Sequence, residues 1–202
     1  MLLDKQVADF IIYLIKSHKE NTSLSKNDLS EFSIKGSAKY LLRQTIRQIN
    51  IPHSNMYVSE KALNLWKSIT DDNIKQKCYN DNVKCKLEEW IHKKYVGAKK
   101  SAEIVKTCKG QFFKFNDVFL DEHIIPVEII IRELLCLDTD SPDIYNQIDL
   151  TIKKLAVCKI LKEENPSTKF NRSSDLETVL QSDYANIKVY NFNQIDEHGN
   201  II

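Results

Sequence analysis

Apolar residues recur at helical spacing through the first third of the chain. Six of them between residues 3 and 17 follow the 3.6-residue period of an amphipathic helix: Leu3, Val7, Phe10, Ile11, Leu14 and Ile15. The polar residues 18–33 indicate a loop. The same period predicts a second helix over 37–49 and a third over 59–69, separated by a break at 51–55. We therefore expect a mostly helical N-terminal part.

Strand patterns enter the second half of the chain. A run of aromatic and aliphatic residues predicts a strand over about 112–121, and a short apolar run predicts another over 154–161. Between them Pro126 suits the start of a helix over 126–137. Ser174 and Glu177 have the spacing of a capping box for a helix that carries Leu176, Val179 and Leu180. The alternation over 187–192 is typical of an edge strand. The predicted fold is α+β, with a small antiparallel sheet formed by the first two of these strands.

Length and composition fit an ordinary globular chain. The 202 residues are 42% hydrophobic and 28% charged, with 4 Gly and 4 Pro, which suits one domain with at most a small appendage. No apolar run approaches the roughly 20 residues that span a bilayer. Asp4 follows closely on Met1 where a secretion signal would be basic. We expect a cytoplasmic protein.

The five cysteines do not have the spacing of a structural site. Their number is odd, and no two are separated as in a CxxC motif: Cys78, Cys85, Cys108, Cys136 and Cys158. Disulfide frameworks use even numbers, and zinc sites use closely spaced pairs. The sequence therefore predicts reduced, scattered thiols.

Charge is unevenly distributed along the chain. Residues 81–114 hold nine lysines against four acids, and residues 115–150 hold nine acids against Arg132 alone. A metal-dependent enzyme acting on a polyanion needs both signs, since carboxylates hold the cation and lysines neutralise phosphates. An accidental segregation of charge on a solvated surface gives the same pattern and remains the alternative.

Two basic segments are candidates for contact with DNA. On the helix 37–49 one face presents Arg43 and Arg47 beside Gln44 and Gln48, as a recognition helix does, although such faces are also ordinary solvated surfaces. The second segment interleaves lysines with Trp90 and Tyr95, a combination that suits phosphate contact and stacking but also the anchoring of a loop. The lysines of this segment that are candidates for DNA contact are Lys93, Lys94, Lys99 and Lys100.

The chemically informative stretch is Asp121-Glu122-His123-Ile124-Ile125-Pro126. A hydrophobic segment ends here in two carboxylates and an imidazole. Histidine suits general base catalysis near neutral pH, and a neighbouring carboxylate can hold a divalent cation. Neighbours in an ideal strand point to opposite faces, so Glu122 and His123 cooperate only if the strand ends or bends there. An ordinary, non-catalytic pair is the alternative.

This stretch resembles the opening strand of the HNH, or ββα-metal, nuclease motif, in which an acid and a histidine precede Ile/Val-x-Pro. The resemblance implies that His123 activates the water that attacks a phosphodiester. It implies that Glu122, or Asp121 if the strand end bulges, binds Mg²⁺ or Mn²⁺. A later residue on the motif's helix is a further ligand, and an Asn in the intervening loop orients the base.

The second half of the motif is less regular. Residues 154–165 resemble its second strand running into its helix, and Asn165 occupies the position of the final ligand. Glu163 and Glu164 are fallback ligands, and Asn146 is the candidate for the middle residue. The insert between the halves is long, the final His is missing, and the zinc-binding cysteines of many HNH proteins are absent. The resemblance covers about residues 113–170, and only its first part is specific.

The resemblance implies a restriction-type endonuclease that hydrolyses double-stranded DNA with Mg²⁺ or Mn²⁺, His123 and Asn146 being catalytic. We expect a helical recognition region over 1–95 and a ββα-metal-like core over 96–202. A homodimer would cut both strands. One alternative is a non-catalytic DNA-binding or regulatory protein whose helices 37–49 and 59–69 resemble a helix-turn-helix or winged module. Another is an α/β interaction protein that does not bind nucleic acid.

Overall fold

The computed structural model describes residues 3–22, 34–68, 104–106, 109–165, 173–196 and 198–202. The α-helices are α1 (Lys5–Thr22), α2 (Ile34–Gln48), α3 (Glu60–Ser68), α4 (Phe115–Val118), α5 (Val127–Cys136), α6 (Ile144–Ile152) and α7 (Leu176–Ser182). The strands are β1 (Met56–Ser59), β2 (Ile104–Lys106), β3 (Phe112–Lys114), β4 (Phe119–His123), β5 (Val157–Leu161) and β6 (Val189–Asn191). The protein is therefore α+β.

The chain forms two compact units, and each is discontinuous in sequence. Residues 1–50 and 125–155 form the first, which we call the helical unit; residues 51–124 and 156–202 form the second, the sheet unit. Each unit combines segments from the two halves of the chain. The boundary that the sequence predicts between residues 95 and 96 lies outside the described residues.

The helical unit contains α1, α2, α5 and α6. α1 packs against α2, and both contact α5, which also contacts α6. Of the apolar stripe predicted on α1, Ile11, Leu14 and Ile15 are buried, whereas Phe10 is 43% exposed. The helix continues to Thr22, where a loop was predicted from residue 18. The predicted helix 126–137 is confirmed as α5, which starts directly after Pro126.

α6 was not predicted, although its signal is present in the sequence. Ile144, Ile148 and Ile152 are spaced four residues apart and are all buried, so one stripe of α6 faces the core of the helical unit. The buried Asp149 on the same helix accepts hydrogen bonds from the Leu3 amide (3.0 Å) and from Lys153 Nζ (2.6 Å). These bonds fix the start of the described chain to α6.

The sheet unit is built on a mixed four-stranded sheet in the order β4-β5-β1-β6. β4 pairs antiparallel with β5, β5 pairs parallel with β1, and β1 pairs antiparallel with β6. The predicted antiparallel pairing of the two candidate strands is confirmed for β4 and β5. The predicted strand over 187–192 is confirmed as β6, at the opposite edge.

The predicted strand over 112–121 was wrong in its extent. β3 (Phe112–Lys114) pairs with β2 in a separate two-stranded sheet, α4 follows as a single helical turn, and β4 starts only at Phe119. Asn116 and Asp117 explain the interruption, because both residue types are disfavoured in strands and favoured in turns. The short strand β1 was missed because it has only four residues after a correctly predicted break.

α3 lies against one face of the four-stranded sheet. Its Ala62, Leu63 and Trp66 belong to a buried apolar cluster with residues of β1, β4 and β5. The strand residues of that cluster are Met56, Val58, Phe119, Val157 and Leu161. Since alternate residues of a strand face the same side, these positions identify the face that α3 covers.

The helix-turn-helix alternative is wrong in its structural part. α2 and α3 are separated by a 3₁₀ turn over His53–Asn55 and by strand β1, and they belong to different compact units. A helix-turn-helix joins its helices through a turn of three or four residues. No described helix is long and apolar enough to cross a membrane.

Candidate active site

The acid–histidine stretch forms the exposed edge strand of the sheet. In the register of β4 and β5, Asp121 lies opposite Lys159, Glu122 opposite Cys158 and His123 opposite Val157. Asp121, Glu122 and His123 are all partly exposed, whereas every residue of β5 is buried. The site therefore combines a solvent-accessible strand with a rigid, buried neighbour.

Strand alternation separates the imidazole from the adjacent carboxylate. Asp121 and His123 lie on the face that α3 covers, and Glu122 lies on the other face with Cys158. His123 is the last residue of β4, and the chain bends at Ile124–Ile125 before α5. His123 is itself paired with Val157, and the Ile124 amide continues the pairing to Ala156, so the bend comes after the two residues and leaves their side chains on opposite faces.

Asp121 is held by a buried lysine. Lys159 is only 3% exposed and forms an ion pair with the Asp121 carboxylate. The Asp121 oxygen in this pair is itself buried. Because this carboxylate neutralises an ammonium inside the protein, Asp121 is a poor ligand for a cation. Lys159 was not predicted to be a functional residue, although a lysine within the apolar run 155–161 already indicates an unusual buried charge.

Glu164 is anchored where β5 ends. Ser59 Oγ donates a hydrogen bond to Glu164 Oε2 (2.5 Å), and the Leu161 amide donates to the same oxygen (2.9 Å). Ser59 is fully buried, and its hydroxyl also accepts from the Ala62 amide at the start of α3 (3.1 Å). The Glu164 carboxylate is therefore held in place by β1 and β5, and Ser59 connects it to α3.

Glu122 and Glu164 share one buried neighbour. Burial raises the pKa of the Cys158 thiol well above its usual range, and the negative charges of Glu164 and Glu122 raise this pKa further. Both carboxylates therefore lie close enough to the thiol to act on it electrostatically. Of the predicted ligands, Glu122 lies opposite Cys158 in the ladder and Glu164 is held at the end of β5; the Cys158 thiol stays protonated at neutral pH.

The two candidate asparagines lie in different parts of the structure, Asn165 after β5 in the sheet unit and Asn146 in the helical unit. The β4–β5 ladder runs from His123–Val157 at one end to Phe119–Leu161 at the other, a length of about 13 Å. Asn165 follows the latter end. Asn146 belongs to the helical unit, where it is exposed on α6, not in the predicted loop, and its Nδ2 donates to Asp143 Oδ2 (3.3 Å).

The candidate DNA-binding residues differ in their surroundings. Arg43 forms an ion pair with Glu128 of α5, and Lys39 approaches the same carboxylate at 3.6 Å, so Arg43 is engaged within the helical unit. Arg47 is exposed one turn further along α2. The remaining candidates, Lys93, Lys94, Lys99 and Lys100, lie outside the described residues.

A cavity of about 360 Å³ lies at the carboxyl ends of the parallel strands β1 and β5. Its lining carries both charges: Glu60, Lys61, Glu163, Glu164, Asn186, Ile187 and Lys188. Lys188 donates to Glu60 (2.7 Å), as does the Tyr190 hydroxyl (2.9 Å), and the Lys188 ammonium lowers the pKa of Glu60. This cavity was not predicted, because strand β1, whose carboxyl end borders it, was not predicted. Most of its charges are already paired with one another.

Within the described part of the chain, no three His, Cys, Asp or Glu side chains are grouped so that they could hold a metal ion by themselves. Comparison with models of known families, with curated proteins and with solved structures gives no significant match for the chain.

Proposed function

We propose that the protein is a metal-dependent endonuclease that hydrolyses phosphodiester bonds of double-stranded DNA, with His123 as the general base and Glu122 as a metal ligand. One observation carries this proposal: the acid–histidine pair ends an accessible edge strand that pairs antiparallel with buried β5. The opening strand of a ββα-metal motif, which residues 121–126 resemble, has the same pairing.

In this proposal His123 acts on water at the end of β4. A neutral imidazole accepts a proton from a water molecule, and the resulting hydroxide attacks phosphorus in line with the departing 3′ oxygen. His123 is partly exposed, so substrate and water can reach it. Its backbone pairs with Val157 of the buried strand, which limits the movement of the base.

Among the described residues, Glu122 is the carboxylate that we assign to a hydrated Mg²⁺ or Mn²⁺ ion. Mg²⁺ keeps several waters and is commonly held by one or two carboxylates together with substrate phosphates. Glu122 meets this minimum. Asp121 is committed to Lys159, and Asn165 follows the far end of the ladder. When bound, the cation would neutralise charge on the phosphate and on the leaving oxygen.

The proposed partner is DNA, gripped by basic residues. Arg47 is exposed on α2 and suits contact with a phosphate. The lysines at 93, 94, 99 and 100 precede the proposed catalytic strand in the sequence and would add to this contact. A restriction-type enzyme cuts two strands related by symmetry, which a homodimer would accomplish.

Supercoiled plasmid incubated with Mg²⁺, Mn²⁺ or EDTA tests the proposed function. Wild-type protein should nick or linearise the plasmid with either metal and not with EDTA. His123→Ala should lower the cleavage rate by about 10²–10⁴-fold, since this is the usual contribution of a general base. The matched control is His198→Ala, which removes an exposed imidazole elsewhere in the sheet unit and should cleave like wild type.

The outcomes separate the competing functions. Undiminished cleavage by His123→Ala would exclude the role of the imidazole. Salt-sensitive DNA binding without cleavage under any metal would indicate the non-catalytic DNA-binding protein. Neither binding nor cleavage would indicate the interaction protein.

A further inference from the structure

Lys159 is placed where an apolar residue would be expected. It is the third residue of β5, and all five residues of that strand are buried. Its neighbours Cys158 and Ile160 are fully enclosed, and Lys159 itself is 3% exposed. Burying an ammonium with its carboxylate is often no more favourable than burying two apolar side chains of similar volume. Stability alone therefore does not account for a lysine here.

Within β4 itself, apolar burial specifies the register weakly, although the buried Ile124 directly after it continues the pairing to Ala156. It lies at the edge of the sheet, and Phe119 is its only buried residue. The other four residues are partly exposed. Register is weakly specified where few side chains of a strand are buried, and edge strands are the most prone to slip.

Phe119 and Asp121 together select one register. A slip by one residue would turn every side chain to the other face and remove Phe119 from the cluster under α3. A slip by two residues would keep the faces but would place Phe119 or His123 opposite Lys159. The buried ammonium would then lose its ion pair with Asp121, and the loss of an ion pair at a buried site is strongly unfavourable.

We propose that Lys159 is a positioning residue for the proposed active site: its ion pair with Asp121 holds β4 in the register that places Glu122 opposite Cys158 and His123 opposite Val157. The proposal rests on the proposed nuclease function for its catalytic consequence. Lys159 does not contact substrate; it acts through the strand that carries the catalytic pair. Asp121 is thereby given a role other than metal binding.

The double variant Asp121→Leu/Lys159→Met tests this role, because it replaces both charges by apolar side chains of similar size. We expect it to unfold at the wild-type temperature or above. The amides of β4 should nevertheless exchange hydrogen about tenfold faster, because alternative registers become populated. Plasmid cleavage should fall about 100-fold, since small displacements of catalytic groups have effects of that size.

The matched control is Ile160→Val, which trims an uncharged side chain of the same strand and leaves the ion pair intact. It should keep both β4 protection and cleavage within about twofold of wild type. Wild-type exchange and cleavage in the double variant would overturn the positioning role. If the wild-type protein itself cleaves no plasmid, the proposed function fails, and the exchange measurement alone then decides whether the ion pair sets the register.

Discussion

A single hydroxyl joins three elements of the sheet unit. Ser59 is the last residue of β1; it donates to Glu164 beyond β5 and accepts from the Ala62 amide in the first turn of α3. It is fully buried, so the bonds that it makes are shielded from water. Removing the hydroxyl would leave a carboxylate oxygen and a helix amide each lacking one partner.

We therefore expect Ser59→Ala to lower the free energy of unfolding by about 2–4 kcal/mol, the sum of a lost helix cap and a lost hydrogen bond to a charged group. Urea unfolding followed by far-UV circular dichroism measures the loss. Ser54→Ala is the matched control, because the exposed Ser54 hydroxyl bonds only to the neighbouring Asn55 side chain. A loss no larger than that of the control would contradict the bridging role of Ser59.

At the scale of elements, the start of α7 shows how sequence spacing can mislead by one residue. Ser174 and Glu177 have capping-box spacing, but the N-cap is Asp175, whose carboxylate accepts from the Thr178 amide (2.8 Å) and hydroxyl (2.6 Å). These bonds lower the pKa of Asp175. The predicted helix is confirmed, and the predicted cap is wrong.

This correction is testable by substituting both candidate caps. Asp175→Ala should destabilise the protein by about 1 kcal/mol, the typical cost of losing an N-cap. Ser174→Ala, one residue earlier, should change the unfolding free energy by less than about 0.5 kcal/mol. Chemical denaturation of the two variants beside wild type gives the comparison. The reverse order of effects would restore Ser174 as the cap.

The local sequence pattern predicted those helices and strands whose buried residues lie close together in the sequence. The stripes of α1, α2 and α5 are helical in period, and apart from residues such as the exposed Phe10 they are largely buried. The apolar run over 157–161 is a strand. β1 has too few residues to show a period. Its place between β5 and β6 depends on pairing with residues about 100 positions away, which no local pattern encodes.

The same limit applies to the candidate site. Its first half, Glu122 and His123, comes from adjacent residues at the end of β4, where strand alternation places the two side chains on opposite faces. The second half depends on register and on sheet order. Asn165 lies beyond the Phe119–Leu161 end of the ladder, whereas His123 is at the other end. Asn146 belongs to the helical unit. The role of Lys159 follows only from the register of β4 and β5, which places Asp121 opposite it.

At the scale of the whole molecule, interactions that favour ionised carboxylates occur in both compact units. In the helical unit Lys153 and the Leu3 amide lower the pKa of Asp149, and Lys16 lowers the pKa of Asp140. In the sheet unit Lys188 lowers the pKa of Glu60, as noted above. A folded-state pKa below that of the unfolded chain stabilises the fold above the unfolded value, and this stability is lost as pH falls through the folded value. Acid should therefore weaken both units.

Asp149→Asn isolates one such contribution, at a buried carboxylate. At neutral pH the variant should be about 1–2 kcal/mol less stable than wild type, because it loses a charge-assisted hydrogen bond to Lys153. The difference should shrink as pH falls below about 4, since protonated Asp149 resembles asparagine. Urea unfolding at a series of pH values measures it, with Asp117→Asn at an exposed position as the control. A difference between Asp149→Asn and wild type that stayed constant from neutral to acid pH would show that the Asp149 charge contributes nothing to folding.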